Sequence, residues 1–183
     1  MGKKKKTKTL SDIIAARRER LILRGELWSL LLRTAVLVLA GGLLFTHVFL
    51  ITQNSGLGMF PALKDGDLMI VFRLQQTYER DDVITYRAEG RRAVGRIVAF
   101  GGDVVDMGED GSLTVNGAAL AGEILYPTYP REEGLAYPFT VPQGCVFVLG
   151  DYRTQALDSR DYGPISLQDV EGKVITLLRR RGL

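Results

Sequence analysis

Few side chains past residue 50 can attack a carbonyl or move a proton. The lysines there are Lys64 and Lys173, the chain's one histidine is His47, and its one cysteine is Cys145. Ser55, Ser112, Ser159 and Ser166, with several threonines, supply hydroxyls. A hydroxyl nucleophile needs a base within hydrogen-bond reach, so here the base would be Lys64, Lys173 or a carboxylate. A lysine base must be desolvated to hold its neutral form near neutral pH. Lys64 opens the turn Lys64-Asp65-Gly66-Asp67, where an ammonium is a solvated cation. Cys145 follows the turn Gln143-Gly144, opens an apolar run and reads as a small core thiol. Asp151 and Asp158 flank Arg153 and Arg160. Carboxylates beside guanidinium groups stay ionised in structural pairs, which argues against a shared-proton acid dyad. One cysteine and one histidine exclude a disulfide framework and zinc sites. No calcium-loop or phosphate-loop spacing occurs, so neither metal nor cofactor is expected.

The segments that would carry such groups are unequal in charge. Residues 1–33 hold ten Lys/Arg and three acids, a net of +7, whereas the remainder holds 14 and 18, a net of −4. Between them Thr34 to Ile51 carries no formal charge, and its 18 residues would span about 27 Å as a helix, close to a hydrocarbon core. Leu27 to Leu32 extend the apolar stretch, with Arg33 snorkelling to the interface. The dense basic flank and an apolar surface on every side argue against a buried core helix. No small-x-small site follows Ile51, which argues against a cleaved leader. The reading is a basic cytoplasmic segment 1–33, a single anchor 34–51 and an extracytoplasmic domain 52–183 in the cell membrane. His47 then lies near the outer interface, and Ser11 would cap a short helix from Asp12 to about Arg24. The basic segment lacks aromatic interleaving, so it signals topology and lipid attraction, with no nucleic acid partner.

Residues 52–183 contain 17 of the 21 glycines and all six prolines. Short β-prone runs occur at Leu68–Phe72, Val83–Tyr86, Arg96–Phe100, Leu113–Val115, Val146–Leu149 and Lys173–Leu178. Asp65-Gly66, Asp110-Gly111 and Asn116-Gly117 punctuate them, which predicts a mainly β chain with an all-β domain behind the N-terminal transmembrane helix. Tyr126 to Pro138, rich in proline and tyrosine, reads as a surface excursion.

Four ordered segments resemble the boxes of bacterial type I signal peptidases. Gly58-Met59-Phe60-Pro61-Ala62-Leu63 is similar to S-M-x-P-T-L, and Asp82-Val83-Ile84-Thr85-Tyr86 to the strand beside the substrate groove. Gly95-Arg96 through Gly102-Asp103 is similar to K-R-x-x-x-x-x-G-D, and Gly150-Asp151-Tyr152-Arg153 through Asp158-Ser159-Arg160 to G-D-N-R-x-x-S-x-D-S-R. Val115-Asn116-Gly117, within the phrase from Leu113 to Glu123, also fits. The resemblance implies the signal-peptidase β fold and a Ser/Lys dyad that cleaves signal peptides after small residues.

The departures fall on that chemistry. The nucleophile position is Gly58, the general-base position Gly95 and the lysine-orienting serine position Ala156, so no catalytic residue is assigned. Ala62 and Tyr152 replace a threonine and an asparagine of the boxes. Pro61, Arg96, Asp103, Asp151, Arg153, Asp158 and Arg160 are expected to be structural, the last four as a charged scaffold around the vanished site. The groove would bind an extended segment as an added strand. By resemblance its walls are Asn54, Ser55, Gly56, Leu57, Gly58 and Met59 on one side and Arg92, Ala93, Val94 and Gly95 on the other, widened by the two glycines. Dyad-less relatives are associated with pilus assembly in Gram-positive bacteria. The expected partners are therefore the membrane and extended segments of secreted, preprotein or pilin chains, held without cleavage. The alternative is an active peptidase with a non-standard dyad such as Ser55 and Lys64. Ser55, however, lies about 10 Å along an extended chain from position 58.

Overall fold

A computed structural model of the chain describes residues 10–120, 126–132 and 134–179. Residues 1–9 of the basic segment and the end of the phrase reaching Glu123 lie outside the described residues. Helix α1 spans Leu10–Val48. Its stretch Ile22–Val48 is long and apolar enough to cross a membrane, with a mean hydropathy of 1.9 and no part of its most apolar window buried within the chain. Trp28, Leu37 and Leu43 are each 72% exposed there, as expected of a helix apolar all round and solvated by lipid. Ser11 lies inside this helix, so the expected cap and separate short helix merge into one continuous element.

The apolar run divides differently from the expected 34–51 anchor. The helix stops at Val48, and Phe49–Gln53 forms strand β1. Phe49 pairs with Phe72 and Gln53 with Leu68 on strand β2, Leu68–Phe72. Chain contacts accordingly separate residues 1–46 from a second unit, 47–183. Phe49, Ile51 and Thr52 are β-formers, and cross-strand pairing wins over continuing the helix.

The β unit continues with β3 (Val83–Ala88), β4 (Arg91–Phe100), β5 (Val104–Met107), β6 (Leu113–Val115), β7 (Ala118–Ala119), β8 (Phe139–Thr140), β9 (Cys145–Leu149), β10 (Ile165–Ser166) and β11 (Val170–Leu178). One sheet has the order β1-β2-β11-β3-β4-β9-β10 and the other β7-β6-β5-β8. The hairpin turns Glu89-Gly90 and Asn116-Gly117 have φ of 48° and 73°, and 54° and 78°. Two successive positive φ values match the right-handed twist of the flanking strands and explain the glycines. Buried side chains form three clusters, one around Val105, Phe147 and Leu149, one around Ile84, Tyr86 and Val148, and one around Met59, Met69 and Val71.

A short helix α2, Ser159–Tyr162, follows β9 and is closed by a capping box in which the Asp158 and Asp161 side chains satisfy opposite ends of one turn. Asp158 and Arg160 form an ion pair with both side chains 1% exposed, Nη2 lying 2.8 Å from Oδ2. The same carboxylate accepts from Gly150 N at 3.1 Å, and Arg160 Nη2 donates to Arg153 O at 2.6 Å. Ser159 Oγ accepts from Val148 N at 2.9 Å, tying α2 to β9. Breaking a buried pair leaves an uncompensated charge, so Asp158→Ala should cost about 3–5 kcal/mol in urea unfolding of the detergent-solubilised chain. Arg80→Ala, at the pair with Asp103 whose arginine is 47% exposed, should cost less than about 1 kcal/mol.

Candidate functional site

The two segments expected to face each other do so across a cavity of about 430 Å³. Residues 52–59 line one side and 91–94 the other, joined by Ala88, Gln155, Leu157 and Tyr162. The structure thus brings Asn54, Ser55, Gly56, Leu57, Gly58, Met59, Arg92, Ala93 and Val94 to one groove. Asn54 is buried, its amide donating to Gly56 O at 3.2 Å and Lys64 O at 3.0 Å, so it shapes the wall from within. Met59 belongs to the core beneath, and Pro61 follows on the exposed side of the same turn.

Gly95 does not line the cavity. A Cβ there would lie 2.5 Å from Val148 Cγ1 and 3.3 Å from Leu149 O. Val148 and Leu149 of β9 pack directly against Gly95, so the expected widening of the groove by this glycine is not seen. Gly58 is different: a Cβ on it would meet nothing nearer than Ala156, at 3.5 Å. Ala156 is 3% exposed and touches the same spot, which brings the nucleophile position and the lysine-orienting position together. Gly58 O accepts from Tyr152 N at 2.9 Å, and a Cβ on Gly150 would collide with both Gly58 O and Ala156 Cβ. The Tyr152 ring, in place of an asparagine, stacks on Tyr126 with centroids 4.5 Å apart.

Hydroxyls reach the cavity from Thr52, Ser55 and Tyr162, and cationic groups from Arg91 and Arg92. A guanidinium stays protonated and cannot serve as the base. Lys64 is exposed and outside the lining, while Lys173 Nζ sits 2.6 Å from Asp82 Oδ1. Among the described residues no hydroxyl–amine pair lines this cavity. Cys145 packs half-buried against the core around Phe147.

The expected charged scaffold forms two separate pairings. Arg96 grips Asp151 through Nε at 2.9 Å and Nη2 at 2.7 Å, and donates to Asp81 O at 2.8 Å. Asp158 holds Arg160, as described. Arg153 does not join either. It is buried, donating to Gly150 O at 2.8 Å and Thr128 Oγ1 at 2.7 Å, and desolvation pulls its guanidinium below the usual range. Asp103 closes the turn after β4, accepting from Phe100 N at 2.8 Å and Asn116 Nδ2 at 2.7 Å.

The wall of β4 has a free edge. Strand β9 pairs with Arg96–Phe100 only, leaving residues 91–95 with β3 on one side. Ile97 N and O bond toward residues 82 and 81, so by alternation the main chains of Gly95 and Ala93 face β3, and those of Arg92 and Val94 face the open edge. The Arg92 side chain reaches Glu171 with Nε and Nη2, and its Nη1 lies 3.3 Å from Thr52 Oγ1 on the opposite wall. Arg87 Nε shares Glu171 at 2.9 Å. Sequence reasoning missed Thr52, Gln53, Ala88, Arg91, Gln155, Leu157 and Tyr162. The available signal was weak: Gln155 and Leu157 flank Ala156, and Tyr162 follows the Asp158–Asp161 capping spacing.

Because nothing crowds position 58 and its φ is not positive, Gly58→Ala should be neutral or stabilising by up to about 1 kcal/mol in denaturant titration. Gly95→Ala should lose about 1–3 kcal/mol by overpacking, and Val148→Ala should cancel part of that loss in the double variant. The Arg92 hydrogen bond holds the Glu171 carboxyl below its usual 4.5, against burial and with help from Arg87. A carboxylate depressed on folding stabilises above its unfolded pKa and loses that contribution as pH falls through its folded value. The stability gap between the native chain and Glu171→Gln should therefore be widest near neutrality and close in acid, as pH falls below 4.5 and through the depressed folded value.

The comparisons agree with the geometry. A model of the family described as signal peptidase, peptidase S26, matches residues 27–178. Signal peptidase I of Bacillus caldolyticus is 32% identical over 166 residues, covering 82% of this chain and 88% of that protein. Probable thylakoidal processing peptidase 2 of Arabidopsis thaliana is 30% identical over 64% of this chain, which spans 34% of that longer protein. A crystal structure of a signal peptidase I from Enterococcus faecalis is 30% identical, with a TM-score of 0.44, covering 55% of this chain and 98% of that one. On the family match and the extent of the Bacillus caldolyticus alignment, this chain, glycines and all, belongs to the signal peptidase family, peptidase S26.

Proposed function

We propose that this chain is a membrane-anchored signal peptidase homologue that holds extended segments of secreted or pilus proteins without cutting them. The observation that carries the reading is the content of its groove. Position 58 offers a hydrogen atom where attack would begin, position 156 a methyl group, and the lining holds no amine. Acyl transfer by a serine needs its base within about 3 Å and tolerates errors of about 1 Å. Ser55 faces the groove, but the lysine weighed as its partner, Lys64, lies outside the lining. What survives is suited to binding. A strand edge with the main-chain groups of Arg92 and Val94 unpaired by β9 can receive an extended chain, and the mixed polar and apolar walls can seat alternate side chains. The α1 stretch Ile22–Val48 would anchor the chain in a membrane, with the basic N-terminal flank on the cytoplasmic side. The pilus assignment rests on analogy with dyad-less members of the family.

Detergent-solubilised protein mixed with a preprotein carrying a small-x-small site should leave it intact. A photoactivatable group at Leu57, which is 48% exposed on the groove wall, should crosslink the same preprotein or a pilin. Cleavage at the small-x-small site, lost in Ser55→Ala, would overturn the proposal in favour of an unorthodox dyad. Absence of both cleavage and crosslink would mark the groove as vestigial.

A further inference from the structure

The lining of the groove is lopsided in charge. Two arginines, Arg91 and Arg92, face it, and among the described residues no carboxylate does. This is unexpected in a β unit whose sequence from residue 34 onward is acidic on balance. The two arginines are not equivalent. Arg92 is committed, with its fork on Glu171 and its remaining nitrogen on Thr52. Arg91 has no ion pair or hydrogen bond from its side chain. Strand alternation sets Arg91 and Ala93 on the opposite face of β4 from Arg92 and Val94. Tyr162 and Ala93 both pack against the core cluster on that face, and Tyr162, which lies in the field of Glu89, Asp161, Asp158 and Arg91, also lines the groove. Gln155 lines it too, and its side-chain amide has no hydrogen-bond partner. Three unengaged donors, a guanidinium, a phenol and an amide, therefore border one cavity beside an open strand edge. Glu89, in the adjoining turn, acts on Tyr162 but forms no ion pair with Arg91.

Resting on the groove reading above, we infer that the groove selects an extended peptide bearing an acidic side chain, and that Arg91 is the residue that determines this selection. An added strand along Arg92 and Val94 sends alternate side chains to the two faces of the edge. On the Arg92 face the cation is already neutralised by Glu171. On the Arg91 face a carboxylate would find an unpaired guanidinium with the Tyr162 phenol near it, and such charge-assisted bonds are about twice as strong as neutral ones. Of the carboxylates that act on Tyr162, Asp158 and Asp161 are paired with Arg160 and Arg131, which leaves Glu89 as the one that opposes an incoming acid.

The test is calorimetry on the full-length protein in detergent with capped peptides, acetylated and amidated, of alanine and valine with one central glutamate. The control replaces that glutamate by glutamine. The glutamate peptide should bind about tenfold more tightly, the advantage should shrink with added salt, and Arg91→Gln should abolish the difference between the two peptides. Arg91 is exposed in a hairpin, so the variant should fold; Arg91→Lys should retain part of the preference. Equal affinity for the two capped peptides would overturn this inference and leave the groove reading standing. A preference that survives Arg91→Gln would overturn the assignment to Arg91. A neutral peptide with a free C-terminus that matches the capped glutamate peptide would move the recognised carboxylate to a chain end and overturn the side-chain version. Failure of every peptide to bind would overturn the groove reading and this inference together.

Discussion

One buried carboxylate fixes the geometry on which the groove depends. Asp158 receives Gly150 N from the end of β9, two nitrogens of the Arg160 side chain, and the first turn of α2. These bonds reverse the chain between Leu149 and Ser159 and hold Ala156 against Gly58. Burying an ion pair this completely gives little net stability by itself, because desolvation consumes most of the attraction. Its effect here is positional. The guanidinium satisfies the Arg153 and Tyr129 carbonyls, which would otherwise be orphaned in a tight loop. Arg96 and Asp151 do the same for the other end of that loop, through Asp81 O.

Within this frame the three vacated positions behave in different ways, which separates loss of chemistry from loss of architecture. At Gly58 the backbone is ordinary and the space remains, so the scaffold still has room for a side chain. At Gly95 there is no space, because Val148 and the main chain of Leu149 lie against it. At Ala156 a methyl group packs where main chain from Gly58 and Gly150 converges. A dyad requires a hydroxyl, an amine and their relative placement all at once. The frame that would provide placement persists through its ion pairs, whereas both reactive groups are missing. Main-chain pairing along the β4 edge is independent of the side chains at 58 and 95, so the proposed binding of an extended chain does not need the dyad.

How much of this could be read in the sequence depended on whether the signal was local. The strands at Leu68–Phe72, Val83–Tyr86 and Val146–Leu149 were legible because β-formers run between turn residues. Strand β1 was not, since Phe49 to Ile51 continues an apolar run and only pairing with Phe72 to Ile70 separates it from the helix. The groove walls at 54–59 and 92–94 came from the boxes rather than from any periodicity. The burial of Gly95 behind Val148 is a matter of depth between two strands, which no spacing encodes. The separation of Arg153 from Asp151 and Asp158 was equally hidden, because which arginine meets which carboxylate is decided by the loop's path. Arg91, Gln155 and Tyr162 lie far apart in the chain and are brought to one cavity only by the β4 edge and α2.

That convergence bears on what a silent groove can distinguish. In a cleaving enzyme, discrimination is spent on the residues beside the scissile bond, where a methyl group more or less shifts binding by about 1–3 kcal/mol. Without a bond to cut, no register along the strand is privileged by chemistry, and main-chain pairing alone would accept many sequences in several registers. On the proposed binding role, a fixed charge at one position of the edge would pin the register of a bound chain. Arg92 cannot act in this way, because Glu171, which it shares with Arg87, already neutralises it within the sheet. The neighbouring arginine, turned to the other face and left unpaired, can.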